Sequence, residues 1–193
     1  MGQKIIFHSI NFFDYEFKYL IKKLQNTGGY IVAPAASSLS EIFYKKIYYQ
    51  SLRKSNIAIL DSGFFCMLLR IFKRKKVKKL SGYLFLKSLL ELKILKYKKF
   101  FLINPNLYEQ KKNYDLLRTK GIFNQKSFCA PIYSLSNFKD FKLIKKINMY
   151  NPDIIIINVG GGIQEPLGQF IKQNIKKKKN YNYMYWCRDR FLN

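Results

Sequence analysis

Short apolar runs alternate with stretches of helical periodicity along the whole chain. Lys4–Phe7 reads as a strand, and roughly Asp14–Gln25 as a helix that Gly28-Gly29 ends, glycine being common just past a C-cap. Tyr30–Ala33 reads as the next strand. A helix follows over about Ser38–Arg53, with Ser37 or Ser38 as its N-cap and Glu41 at the spacing of a capping box. Asn56–Leu60 predicts a strand, Gly63–Phe72 an apolar helix, Lys73–Lys79 a basic connector and Tyr83–Leu95 a further helix. Beyond these come a strand at Lys99–Ile103, a helix at Leu107–Thr119 and a strand near Ser127–Ile132. A helix at Asn137–Tyr150 leads to the clearest strand, Asp153–Val159, and Gly160-Gly161-Gly162 turns into a helix from about Glu165 to Asn174.

A βαβα rhythm of this kind predicts a single α/β domain of Rossmann-like form, spanning residues 1–193, with a mostly parallel sheet and helices on both faces. The run Ile154-Ile155-Ile156-Ile157 is apolar without alternation, as a strand buried on both faces requires. The 48% hydrophobic content supports one sizeable core, and the 17% aromatic share argues against disorder.

Charge changes the picture of partners more than of fold. The chain carries 36 Lys and Arg against 11 Asp and Glu, a formal net charge of +25. Phosphate-rich surfaces fit this balance: nucleic acid, anionic lipid headgroups or a nucleotide diphosphate. A bias toward Lys, Ile, Asn and Tyr from AT-rich coding would produce part of it as well. The three cysteines, Cys66, Cys129 and Cys187, are far apart, with His8 the sole histidine, which disfavours a structural zinc site or a disulfide framework. No apolar run reaches the length of a membrane span, and no secretory signal opens the chain.

In a sheet of this kind ligands bind beyond the carboxyl ends of the strands. Asp61 stands there, between an apolar strand and an apolar helix, placed to take a proton from an incoming hydroxyl. Asp61 or Ser62 would equally serve as an ordinary helix cap. Asn104 closes another strand. Gly160, Gly161 and Gly162 would let backbone N–H groups approach an anion at a helix N-terminus, or merely make a turn. Gln164 and Glu165 follow, able to grip hydroxyls or to sit in the first turn as dipole partners. The basic run Lys73–Lys79 suits phosphate or anionic lipid, or a solvated loop. No acidic pair or histidine cluster offers a divalent-metal site.

Taken in order, these motifs resemble the WecG/TagA/CpsF glycosyltransferase family. The resemblance lies in Ala33-Pro34-Ala35-Ala36, the helix containing Tyr44 and Tyr49, Leu60-Asp61-Ser62-Gly63 and Lys79-Leu80-Ser81-Gly82. It continues through Asn151-Pro152-Asp153 to Gly160-Gly161-Gly162-Ile163-Gln164-Glu165. It implies an inverting, metal-independent enzyme without a cofactor, which moves an N-acetylmannosamine-type sugar from a UDP-sugar to a polyprenyl-diphosphate-linked acceptor. It further implies cell-surface polysaccharide synthesis at the inner face of a plasma membrane, with peripheral contact to anionic lipid. By position, Asp61 resembles the family's general base and Gln164 its sugar-site glutamine, with Glu165 beside it. Lys79 stands where many members have Arg, and Ser62, Ser81, Gly82 and Asn104 complete the expected substrate contacts.

Two departures accompany the resemblance. Ala33-Pro34-Ala35 replaces Thr-Pro-Asn, which points to a variant, exopolysaccharide-type subgroup. The residues from about 184 to 193 replace a Cys-x-Gly-Ala-x-Ile turn. Codons for Tyr183–Phe191, read one base later, can give that turn, so a frameshifted, truncated tail is expected there. An inactive family member and a basic nucleic-acid-binding α/β domain are the competing expectations.

Overall fold

The computed structural model describes residues 2–74, 76–176 and 184–187. One sheet of eight strands organises them: β1 (Gln3–Phe7), β2 (Ile10–Asp14), β3 (Gly29–Val32), β4 (Ile57–Ile59), β5 (Phe100–Asn104), β6 (Gln125–Cys129), β7 (Ile154–Ile157) and β8 (Met184–Cys187). The spatial order is β1-β2-β4-β3-β8-β7-β5-β6. Only the β1–β2 pair is antiparallel; every other pairing is parallel, the mixed α/β architecture the sequence predicts.

Period-two alternation splits the buried residues of the central strands between two cores. Tyr30, Ala58, Leu60, Phe101, Ile103, Ile155 and Ile157 face one side. There they meet α3 (Lys46–Arg53), α4 (Gly63–Lys73), α7 (Phe141–Tyr150) and α8 (Gln164–Asn174) through Leu52, Phe65, Leu143 and Leu167. Ile31, Ile57, Ile59, Phe100, Leu102, Ile154 and Ile156 face the other. On that side α1 (Phe17–Thr27), α5 (Gly82–Leu90) and α6 (Leu107–Thr119) supply Leu20, Leu24, Phe85, Leu89 and Leu117. The four isoleucines of β7 are all buried because alternate members belong to different cores.

The structure departs from the predicted elements at several places; two are shifts, α7 starting at Phe141 rather than Asn137 and β6 lying at Gln125–Cys129 rather than Ser127–Ile132, and four change the pattern. A hairpin, β1–β2, precedes the first helix, which starts at Phe17 rather than Asp14. Its turn is His8-Ser9 with φ of 43° and 58°, values that sequence signals assign to Asn-Gly, so the second strand gives no warning. The single helix expected over Ser38–Arg53 is broken into α2 (Ala36–Ser40), a 3-10 turn at Glu41–Phe43, and α3. The capping box does not form: Ala35 is the N-cap without a side-chain bond, and Glu41 instead accepts from Lys45 Nζ at 2.8 Å. The helix expected to reach Leu95 stops at Leu90, and a 3-10 turn over Lys93–Tyr97 follows. Last, β8 lies in the middle of the sheet, parallel to β3 on one side and β7 on the other. The sequence reading placed no strand there, and what it expected of residues 188–193 lies outside the described residues.

Candidate active site

The carboxyl ends of β4, β3, β8 and β7 form one edge of the sheet, at the point where the chain, having built β3 and β4 outward one way, crosses to build β5 and β6 the other way. Asp61 leaves β4 and Gln164 follows β7, with three strand spacings between those strands, about 14 Å. Between them lies the β3–α2 turn with Pro34 and Ala35.

Asp61 is half-buried and held from one side only. The backbone N–H of Gly82 donates to its Oδ1 at 3.0 Å, and Oδ2 has no hydrogen bond among the described residues. Gly82 is the first residue of α5, whose Ser81 N-cap makes no side-chain bond, so Asp61 supplies the acceptor that the helix start lacks. A second tie, from the Leu80 N–H to the Leu60 carbonyl at 3.0 Å, fixes the Lys79–Gly82 turn against the end of β4. Lys79 is exposed, and its stem passes Gly63 so closely that a Cβ there would lie 3.8 Å from the lysine Cδ. Asp61, Ser62, Lys79, Ser81 and Gly82 are therefore one local group. Ser62 works as a cap, its Oγ accepting from the Phe65 N–H at 3.0 Å.

The glycine turn is more self-contained than the sequence suggests. Gly160 and Gly161 are exposed, whereas Gly162 is buried with φ of +80°. The Gly162 N–H donates to Glu165 Oε2 at 3.0 Å, and the N–H groups of Ile163 and Gln164 donate to the Gly160 carbonyl at 3.3 and 3.2 Å. Those three amides are engaged within the turn, which leaves Gly160 and Gly161 as the part that faces outward. Gln164 and Glu165 are each 1% exposed. Gln164 Nε2 donates to Glu165 Oε1 at 3.3 Å, and the Tyr30 hydroxyl of β3 donates to the Glu165 carbonyl. The pair builds the first turn of α8 and seats it on β3.

Asn104 also lies inside. It is 0% exposed, and its Oδ1 accepts from Asn113 Nδ2 at 2.7 Å and Asn158 Nδ2 at 3.1 Å, tying the ends of β5 and β7 to α6. Its amide oxygen braces the strand ends, while its Nδ2 has no hydrogen-bond partner among the described residues.

Glu41, expected from the sequence only as a capping-box partner, stands close to the glycine turn. Its Oε2 lies 3.7 Å from where a Cβ on Gly162 would stand, so a half-exposed carboxylate overlooks the glycine turn, paired through Oε1 with Lys45. Glu41 directly follows α2, and the helical periodicity around it suggests only a capping role.

Beneath the site, the buried Cys66 thiol is pushed up by burial first; Arg70 and Lys79 oppose the rise, and Asp14 and Asp61 add to it. Four charged groups thus converge near the start of α4. Two grooves flank this helix. One, of about 680 Å³, runs beside Asp14, Arg70, Lys76, Lys78 and Lys79. Arg70 anchors its wall by donating from Nε and Nη2 to the Val77 carbonyl at 3.1 and 2.6 Å, and the Lys78 N–H donates to Asp14 Oδ1 at 3.2 Å. The backbone of residues 76–78 is thus tied back to the domain while the lysine side chains stay exposed. The other groove, of about 370 Å³, is apolar and lies between α2 and α4.

Residues 5–188 match the family described as Glycosyl transferase WecG/TagA/CpsF family. No curated protein matches the chain. No helix among the described residues is long and apolar enough to cross a membrane.

Proposed function

The chain belongs to the WecG/TagA/CpsF family of glycosyltransferases, and from that premise we propose that it moves an N-acetylhexosamine-type sugar from a UDP-sugar to a polyprenyl-diphosphate-linked acceptor in cell-surface polysaccharide synthesis. The observation that carries this reading is Asp61: one carboxylate oxygen is pinned by the Gly82 N–H and the other is open at the carboxyl edge of the sheet.

Asp61 Oδ2 takes the proton of an acceptor hydroxyl as that oxygen bonds to the anomeric carbon of the sugar. The bond from this carbon to the diphosphate oxygen breaks on the opposite face, so configuration inverts and UDP leaves with the electron pair. Negative charge then grows on the departing diphosphate. Lys79, exposed in the turn that Asp61 holds, supplies a cation to meet it, and Ser81 offers a hydroxyl from the same turn. Neither role needs a metal ion. Gly160 and Gly161 offer an open stretch of backbone for the sugar, under the carboxylate of Glu41. Gln164, Glu165 and Asn104 act from behind by fixing the turn and the strand ends. The basic groove beside α4 supports peripheral contact with anionic lipid at the inner face of the membrane.

The test is transfer of radiolabelled sugar from UDP-N-acetylmannosamine, or another UDP-N-acetylhexosamine, to a synthetic prenyl-diphosphate-linked sugar. Asp61→Asn keeps an acceptor for the Gly82 N–H and removes the base. The expected outcome is a fall in turnover of about 10²- to 10⁴-fold with UDP binding retained. Undiminished turnover in that variant would remove Asp61 from the reaction.

A further inference from the structure

Two turns that face the carboxyl edge of the sheet carry no polar side chains of their own. Ala33-Pro34-Ala35-Ala36 follows β3, and Gly160-Gly161-Gly162 follows β7. Three amides of the glycine turn are closed within it, and Gln164 and Glu165 behind it are buried. A ligand rich in hydroxyls, laid on the exposed Gly160 and Gly161, therefore needs a hydrogen-bonding side chain brought from another element.

Glu41 meets that need. It opens the 3-10 turn Glu41–Phe43, and its carbonyl accepts from the N–H groups of Tyr44 and Lys45 at 3.0 and 2.8 Å. Those bonds fix its backbone where α2 ends. Lys45 Nζ holds Oε1 at 2.8 Å. Oε2 makes no hydrogen bond among the described residues and lies 3.7 Å from the position a Cβ on Gly162 would take. The arrangement repeats that of Asp61, one oxygen pinned and the other open. The pair adds little to folding, since the side chains of Glu41 and Lys45 are 38% and 42% exposed and water screens an ion pair so open.

Charge decides which part of a ligand lies there. A carboxylate accepts from O–H groups and repels phosphate. Lys79 stands in the turn that Asp61 holds, on the β4 side, so the edge is acidic over the glycine turn and basic beyond Asp61. A nucleotide-sugar is divided in the same sense, with neutral hydroxyls at one end and anionic phosphates behind them.

We propose that Glu41 determines specificity for the transferred sugar: Oε2 accepts hydrogen bonds from ring hydroxyls of a pyranose resting on Gly160 and Gly161, and its charge turns the diphosphate toward Lys79. This assignment rests on the transferase reading and adds a residue to its donor site.

The experiment pairs Glu41→Ala and Glu41→Gln with UDP-N-acetylhexosamines lacking one hydroxyl, at carbon 3, 4 or 6, in the radiolabelled transfer assay. In the unaltered chain, deleting the hydroxyl that Glu41 holds is expected to lower kcat/KM about 10- to 100-fold. Glu41→Ala is expected to lower kcat/KM for the complete donor by a similar factor, and to turn over the matching deoxy donor no worse than the complete one. Glu41→Gln, which keeps an acceptor oxygen, recovers part of the loss. UDP affinity by calorimetry and the melting temperature stay at the values of the unaltered chain. Undiminished kcat/KM in Glu41→Ala overturns the proposal. So does a loss that leaves the discrimination against every deoxy donor intact, because Glu41 then shapes the turn without touching the sugar. Absence of both UDP binding and transfer in the unaltered chain sinks the transferase assignment, whereas intact transfer with discrimination indifferent to Glu41→Ala sinks the role of Glu41 alone.

Discussion

Asp61, the base of the proposed reaction, is also a structural residue. Its Oδ1 completes the start of α5, so removing the carboxylate has a structural cost that removing the charge does not. Asp61→Ala is expected to lose about 0.5–2 kcal/mol of stability beside its loss of turnover, and Asp61→Asn to lose turnover alone; thermal melts of the two proteins separate these effects. A second residue-scale expectation concerns thiols. Cys66 is 2% exposed with its ionisation pushed up by burial, while Cys129 is exposed. Brief alkylation of the native protein at neutral pH should modify Cys129 and spare Cys66, and modification of both after denaturation, read by mass spectrometry, completes the check. Asp61 and Ser62 were legible in the sequence because a polar pair between an apolar strand and an apolar helix has few places to be. The inward turn of Gln164 and Glu165 was not, because it depends on the Tyr30 hydroxyl reaching a carbonyl 135 residues away.

At the scale of elements, the strand-to-helix turns decide where chemistry is available. The turn at Gly160–Gly162 closes its own amides, and only Gly162 has a backbone that requires glycine, with φ of +80°. A Cβ there would stand in ordinary van der Waals contact with Glu41, 3.7 Å away, so conformation and not crowding resists a side chain. Gly162→Ala is therefore expected to cost about 1–2 kcal/mol in denaturant unfolding. Gly160→Ala, with nothing within 4 Å, should leave stability nearly unchanged. The strands β3, β4, β5 and β7 were legible as short apolar runs, since both faces of each are covered. The β1–β2 hairpin and the break between α2 and α3 were not. The first turns through His8 and Ser9 in a conformation those residues seldom advertise, and the second interrupts a periodicity that had no proline or glycine to mark the break.

For the whole molecule, one buried and two half-buried acids shape the response to alkali. Cys66, Tyr133 and Tyr150 are all pushed up, in each case by burial first, with Asp140 adding to Tyr133 and Asp153 to Tyr150. Each holds its proton more tightly folded than unfolded. Their contribution is therefore intact at neutral pH and is lost as pH rises past the ordinary values of 9.0 and 10.0, where the unfolded chain ionises first. Thermal unfolding should move to lower temperature between about pH 8 and pH 10.5, and Tyr133→Phe should reduce that movement.

The central place of β8 has a kinetic side. Residues 184–187 bridge β3 and β7, whose own strands are separated by more than a hundred positions along the chain. During synthesis both flanks of the sheet emerge before the piece that joins them, the β1–β4 flank long before it, each presenting an unpaired edge to the crowded cell. Ribosome-bound chains arrested ahead of Met184 should thus be sensitive to protease and prone to strand-mediated association. Extending the nascent chain past Cys187 should bring abrupt protection to both flanks together.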